Sequence, residues 1–228
     1  MHTCYACGNS ATSDEHVPPK CLFPETKDTP DGTDLRRNLF TVPSCEEHNT
    51  HKSGDDEYLF FVLAMNLPAN HVANLQVSSK IARAVARRPK LVESMMERAE
   101  PVLIADDRTH ELYETNKVEL DGVRFDRSLR LLALGVYFQH FGKRWHGSLR
   151  VQPEFIAFPD EHNSAEIANV IATVAACSQV LFKGATHIGA NPSVFSYQVH
   201  EGEGTVTWVL RLSFYEGCKV TVFLGIDG

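Results

Sequence analysis

From residue 58 the chain runs Tyr-Leu-Phe-Phe-Val-Leu with no polar break, directly behind the acidic turn Asp55-Asp56-Glu57. With the polar positions from Glu46 onward, this pattern predicts a helix from 46 to about 66. Further helices are expected over 72–88 and 91–99, with Pro68 and Pro89 as breaks. Short apolar stretches predict strands at 39–42, 102–104, 112–115 and 117–120. From Phe125 to Phe141, the residues Leu129, Leu132, Ala133, Val136 and His140 recur at helical spacing, and another helix over 164–183 opens with Ser164 and Glu166. Segments 194–200, 206–214 and 219–224 alternate or run apolar, and Glu201-Gly-Glu-Gly204 and Glu216-Gly217 between them read as hairpin turns. The stretch 26–34 reads as a loop and 154–158, bounded by Pro153 and Pro159, as an edge segment. The expected fold class is α+β: an N-terminal module at 1–66, then a helical connector and an α+β domain with antiparallel strands over 67–228.

The N-terminal module carries the most specific chemistry. Cys4-Tyr-Ala-Cys7 is one hook, and after 37 intervening residues Cys45-Glu-Glu-His48 is a second of the same spacing. Each short turn presents two soft or borderline donors to one ion, so Cys4, Cys7, Cys45 and His48 fit a closed tetrahedral zinc site. Cys21, Cys177 and Cys218 lack a partner at ligand spacing and are expected to be core thiols. A redox role for Cys4 and Cys7 lacks the βαβ context of such pairs. A closed four-donor site is structural, which places any chemistry beside it.

Between the hooks lies Glu15-His16-Val-Pro-Pro, and Asn49 follows the second hook directly. With Cys4-x-x-Cys7 upstream and Cys45-x-x-His48-Asn49 downstream, the span from Cys4 to about Tyr58 resembles the HNH endonuclease family, the ββα-metal nucleases. The resemblance implies a zinc-stapled ββα module with His16 as general base on the attacking water, a task suited to a neutral imidazole. It also implies Glu15 and Asn49 as oxygen ligands of a catalytic divalent ion, magnesium or manganese. Two departures are visible: the acid is Glu15 where the family usually has aspartate, with Asp14 one step earlier, and the orienting asparagine is matched only by Asn38, seven residues before Cys45. A backbone carbonyl near Phe40 is the alternative for that orienting role. The segment 134–142 also resembles one that follows the nuclease motif in a subset of HNH-type bacterial proteins.

Charge complicates a nucleic-acid reading. The 228-residue chain carries a net charge of −7, and residues 1–60 hold five basic residues against eleven acidic ones, whereas phosphate binding rests on Lys and Arg. Residues 61–104 reverse this, with six basic against three acidic. Lys80, Arg83 and Arg87 fall on one helical face and are the expected phosphate-tracking residues, with Lys52, beside His51, as a further contact; the alternative is a solvated basic face. The expected activity is a divalent-metal-dependent endonuclease on nucleic acid, DNA first; the rival is a noncatalytic zinc module that binds nucleic acid or a protein. No stretch has the length of a membrane span and no secretory signal is read, so a reducing cytoplasm is the expected compartment. Oligomeric state is left open, a homodimer being allowed.

Overall fold

The computed structural model describes residues 2–89, 93, 96, 97, 99–105, 112–156 and 164–226. It is mixed α+β with antiparallel sheets throughout. Ser13–His16 (β1) and Thr41–Ser44 (β2) form a two-stranded sheet, Ser13 opposite Ser44 and His16 opposite Thr41. The strand expected at 39–42 starts two residues later because Asn38 turns the chain with a left-handed φ of 56°, a conformation asparagine tolerates. The helix expected from 46 to 66 is broken into Glu46–Asn49 (α1), a tight turn at Thr50–Lys52 and Ser53–Ala64 (α2). Thr50, Ser53 and Gly54 are poor helix-interior residues and fall at that break. Beyond it, every residue from Tyr58 to Ala64 is buried, so α2 passes through the core with no solvent face along these turns.

His71–Gln76 (α3) and Ala82–Arg87 (α4) realise the helix expected over 72–88, joined through a π-helical turn at Val77–Ile81. Asn70 starts it, its side chain accepting from the N–H groups of Val72 and Ala73. The helix expected over 91–99 lies largely outside the described residues. Glu100–Ala105 (β3) and Leu112–Lys117 (β4) pair antiparallel; the strand expected at 112–115 lies within β4, whereas of the strand expected at 117–120 only Lys117 is in a strand. Gly122–Phe141 (α5) is capped by Asp121, which accepts from Arg124 N–H, and ends at Gly142 with φ 67°. Ser148–Pro153 (β5), Ser164–Leu181 (α6), Ile188–Asn191 (β6), Phe195–Glu201 (β7), Val206–Phe214 (β8) and Cys218–Gly225 (β9) complete the chain, and the strands form one sheet in the order β5-β9-β8-β7-β6. The edge strand is thus 148–153, ahead of the segment expected at 154–158, of which 157 and 158 lie outside the described residues.

The apolar core continues across the boundary expected at residue 66. One buried cluster contains Cys4 and Val42 from the N-terminal hairpin, Leu59 and Leu63 from α2, Leu129 and Val136 from α5, and Leu210, Val222 and Leu224 from the sheet. Polar contacts reinforce it: Tyr215, in the turn between β8 and β9, donates to Leu22 carbonyl at 2.6 Å, and the Gln76 amide donates to the same carbonyl at 2.5 Å. The C-terminal sheet and α3 therefore fix the turn at Lys20–Leu22, immediately downstream of His16.

The close approach of α5 to this segment requires a glycine. A Cβ at Gly135 would lie 2.7 and 2.9 Å from the two methyls of Val17, too close for a stiff β-branched side chain to yield cheaply. Gly135→Ala gains about 1 kcal/mol of helix propensity, yet we expect a net loss of ~1–2 kcal/mol from overpacking in urea unfolding. Adding Val17→Ala is expected to recover part of that loss; additive losses in the double variant would contradict the contact.

Candidate functional site

The two hooks meet. Ligand atoms of Cys4, Cys7, Cys45 and His48 all lie within 4.8 Å of one another, forming a Cys3His group positioned to bind a metal ion. Cys7 and Cys45 sulfurs are 3.8 Å apart, and His48 Nδ1 lies 3.2 Å from Cys45 and 3.7 Å from Cys4. A tetrahedron of roughly 2.3 Å zinc–sulfur bonds has edges of about 3.8 Å, and sulfur to nitrogen comes to about 3.5 Å, so the residues fit zinc. All six cysteines are free thiols. Burial disfavours the Cys4 thiolate, but backbone N–H groups of Cys45, Cys7 and Ala6 outweigh that and bring its pKa down. Burial also lowers the pKa of His48, keeping the neutral imidazole that a metal requires.

The strap carrying Cys4 is fixed by main-chain bonds. Tyr5 N–H donates to Pro43 carbonyl and Thr12 N–H to Ser44 carbonyl, both at 2.9 Å, which lays the strap along β2. The Tyr5 ring packs edge-on against His48. The group thereby ties the strap, the end of β2 and the start of α1 together, and with them the relative positions of His16 and Asn49.

His16 and Asn49 open onto one cleft of about 590 Å3. Its walls come from the end of β1, the turn at Lys20–Leu22, the N-terminal half of α2 and the α4 helix, and they include Lys20, Asp56, Glu57, Lys80 and Arg88. Partial burial, with Lys20 adding its charge, lowers the His16 pKa below the ordinary histidine value of 6.5. Asn49 is anchored through its amide nitrogen, which donates to Ser13 Oγ at 2.8 Å and Asp14 carbonyl at 3.4 Å. That leaves the amide oxygen as the atom offered to the cleft.

Glu15 and Asn49 both line this cleft, but Glu15 is only 4% exposed and its carboxylate is already engaged by Lys52. In this ion pair Lys52 also reaches Asp56 at 3.1 Å, and Glu15 accepts from Ser44 Oγ at 3.3 Å. Burial raises the pKa of both Glu15 and Asp56, against the opposing pull of Lys52. Tyr5 lies beside the same carboxylate, and burial next to that charge pushes its phenol well above its usual value. As arranged, Glu15 and Asn49 do not fit a magnesium or manganese site. Asp14 shares the side of β1 that His16 occupies and is exposed.

The basic residues are also placed differently from the expectation. Lys52 is buried between carboxylates and offers no charge to a phosphate. Arg83 makes a two-pronged pair with Asp28 at 2.9 and 2.7 Å, and Arg87 donates back to Arg83 carbonyl. Lys80 does line the cleft, its ammonium bonded to Cys21 carbonyl at 2.7 Å and lying over the Phe60 ring. The cleft side of the helix is Lys80, Ala84 and Arg88, the i, i+4, i+8 row, displaced from the expected Lys80, Arg83, Arg87 row. Arg88, paired with Glu57 at 2.8 Å, and Lys20 are the cations that pattern reading missed; the four-residue spacing from Lys80 was the available signal for Arg88.

Other expectations resolve individually. Asn38 is exposed and lines a separate shallow depression with Val17, Phe40 and Asn191, outside the His16 cleft, and Phe40 carbonyl accepts from Val17 N–H. Neither orients His16, whose ring has no hydrogen bond among the described residues. Cys218 is buried and Cys21 half-buried, whereas Cys177 is exposed on α6. His140 is exposed, hydrogen-bonded to Tyr197 at 3.3 Å. The His51 side chain lies outside the described residues. Among the described residues no helix is long and apolar enough to cross a membrane. No family model, curated protein or solved structure matches the chain.

Removing Lys52 leaves the buried Glu15 carboxylate and the half-buried Asp56 carboxylate without their shared cation. Lys52→Met is expected to cost ~3–5 kcal/mol in equilibrium unfolding, the penalty for an uncompensated buried charge. A loss below about 1 kcal/mol, the range of exposed ion pairs, would contradict the buried network.

Proposed function

We propose that the cleft is the active site of an endonuclease of HNH type, hydrolysing phosphodiester bonds in nucleic acid, with DNA the expected polymer. The observation that carries this reading is the convergence of His16, held neutral, with Asn49 and the cations Lys20, Lys80 and Arg88 on one cleft. It is backed by the Cys3His group, read as a structural zinc site, that fixes His16 and Asn49 relative to each other. In this reading His16 accepts the proton of the water that attacks phosphorus. Lys20 and Arg88 face the phosphate and offset charge developing on its oxygens, and the Asn49 amide oxygen accepts from the attacking water and orients it. Metal dependence is a separable part of the proposal, because Glu15 would have to leave Lys52 to supply a carboxylate.

The rival reading, a noncatalytic zinc module that binds nucleic acid or a protein, is favoured by one observation: the expected acidic ligand is consumed in a buried ion pair. Cleavage of supercoiled DNA, single-stranded DNA and RNA, each with magnesium, manganese or chelator, separates the two. The nuclease reading expects cleavage by the wild type and a loss of at least about a hundredfold in His16→Ala, with fold and metal content unchanged. Its acid limb is expected below pH 6.5, since the base works only when unprotonated and its pKa is lowered. Binding without cleavage under every ion condition would favour the module reading, and equal cleavage by both proteins would remove His16 from the chemistry.

A further inference from the structure

Helix α6 has an unusual distribution of polarity. Toward the sheet it presents Ile171 together with a buried polar cluster: Ser178 Oγ bonds Thr221 Oγ1 at 2.8 Å, Thr221 reaches Glu154 at 2.8 Å, and the other Glu154 oxygen pairs with Arg211 at 2.8 Å. Toward solvent it presents Val170, 56% exposed, Val180, 75% exposed, and Cys177 between them. No charged side chain occurs from 167 to 182. The outward face of a surface helix is ordinarily its charged one, and an uncharged face with exposed valines is the kind that marks an interaction surface.

The order of residues on that face is self-complementary. Glu166, Val170, Thr173, Cys177 and Val180 follow the alternating four-and-three spacing of a helix–helix seam. Reversed end for end about residue 175, Val170 falls opposite Val180, Thr173 opposite Cys177, and Glu166 beside Lys183. A two-fold axis produces that reversal when identical helices pack antiparallel. Within 164–183 the charges are one acid at the start of the seam and one base just past its end, so the match holds in that orientation, and a parallel pair would set like charges together. The Thr173 hydroxyl is already satisfied by Asn169 carbonyl at 2.7 Å and enters such a contact at little cost.

We propose that α6 is a self-association face through which two copies of this chain pair antiparallel, with Glu166 against the partner's Lys183. This inference is independent of the nuclease reading. A single helix face lies at the small end of the interface range, below roughly 1,200 Å2 in total, so the dimer is reversible at micromolar protein.

Sedimentation equilibrium of the full chain across the micromolar range tests it. The wild type is expected to follow a monomer–dimer equilibrium, and Val180→Glu to weaken it by about tenfold or more through a carboxylate forced into the seam. Glu166→Lys alone is expected to weaken the dimer, and Glu166→Lys with Lys183→Glu to restore it, which keeps the test decisive should Val180→Glu disturb the helix. A monomer at every concentration would overturn the proposal, whether or not it floats with phosphatidylcholine vesicles. So would a dimer indifferent to these changes, which would place the contact elsewhere.

Discussion

Two short turns that start 41 residues apart must bring four donors to within 4.8 Å of one another, and the N-terminal architecture depends on that constraint. The strap from Cys4 has little regular structure of its own, β1 and β2 are four residues each, and α1 is a single turn. A hairpin of this length is marginal in isolation. A structural zinc contributes on the order of 10–16 kcal/mol to the folding of small domains that bind it, far more than a four-residue ladder supplies. The donors sit at the end of β2 and the start of α1, so an ion bound there would close the strap and also set His16, on β1, across from Asn49, at the end of α1.

Beneath the strand a second constraint works through charge. The Glu15 residue is 4% exposed, and a buried carboxylate needs a cation; Lys52, from the tight turn between α1 and α2, supplies it and holds Asp56 as well. This triad locks the start of α2 to β1. It explains why a lysine beside the proposed site contributes nothing to the surface potential. The positive charge left to the cleft comes from Lys20, Lys80 and Arg88, offset by Glu57 and by Glu15 and Asp56, which Lys52 pairs.

Much of the fold was legible in periodicity, because α5, α6 and the strands β7 to β9 have long apolar patterns with clear turn signals. The four metal donors were legible from spacing, since a two-residue gap is what one turn needs to aim both donors at one ion. The strand β1 was not legible from alternation: Ser13, Asp14, Glu15 and His16 contain no apolar residue, and their pairing with β2 is imposed from outside. Burial of Lys52 and Glu15 was equally hidden, because nothing local marks a charge whose partner is 37 residues away. The basic helix face was misjudged by a simple mechanism: only a row of i, i+4, i+8 reaches the cleft, and a π-helical turn at Val77–Ile81 sits at its start. Asn38 was chosen by its distance from Cys45, and the backbone uses it for a left-handed turn.

The most direct measurement is metal content of the purified full chain together with X-ray absorption at the zinc edge. The account predicts one zinc per chain, with three sulfurs at about 2.3 Å and one nitrogen at about 2.0 Å, and loss of the ion with unfolding of the N-terminal region in Cys7→Ser. A folded chain without bound metal, or a shell dominated by oxygen, would contradict it.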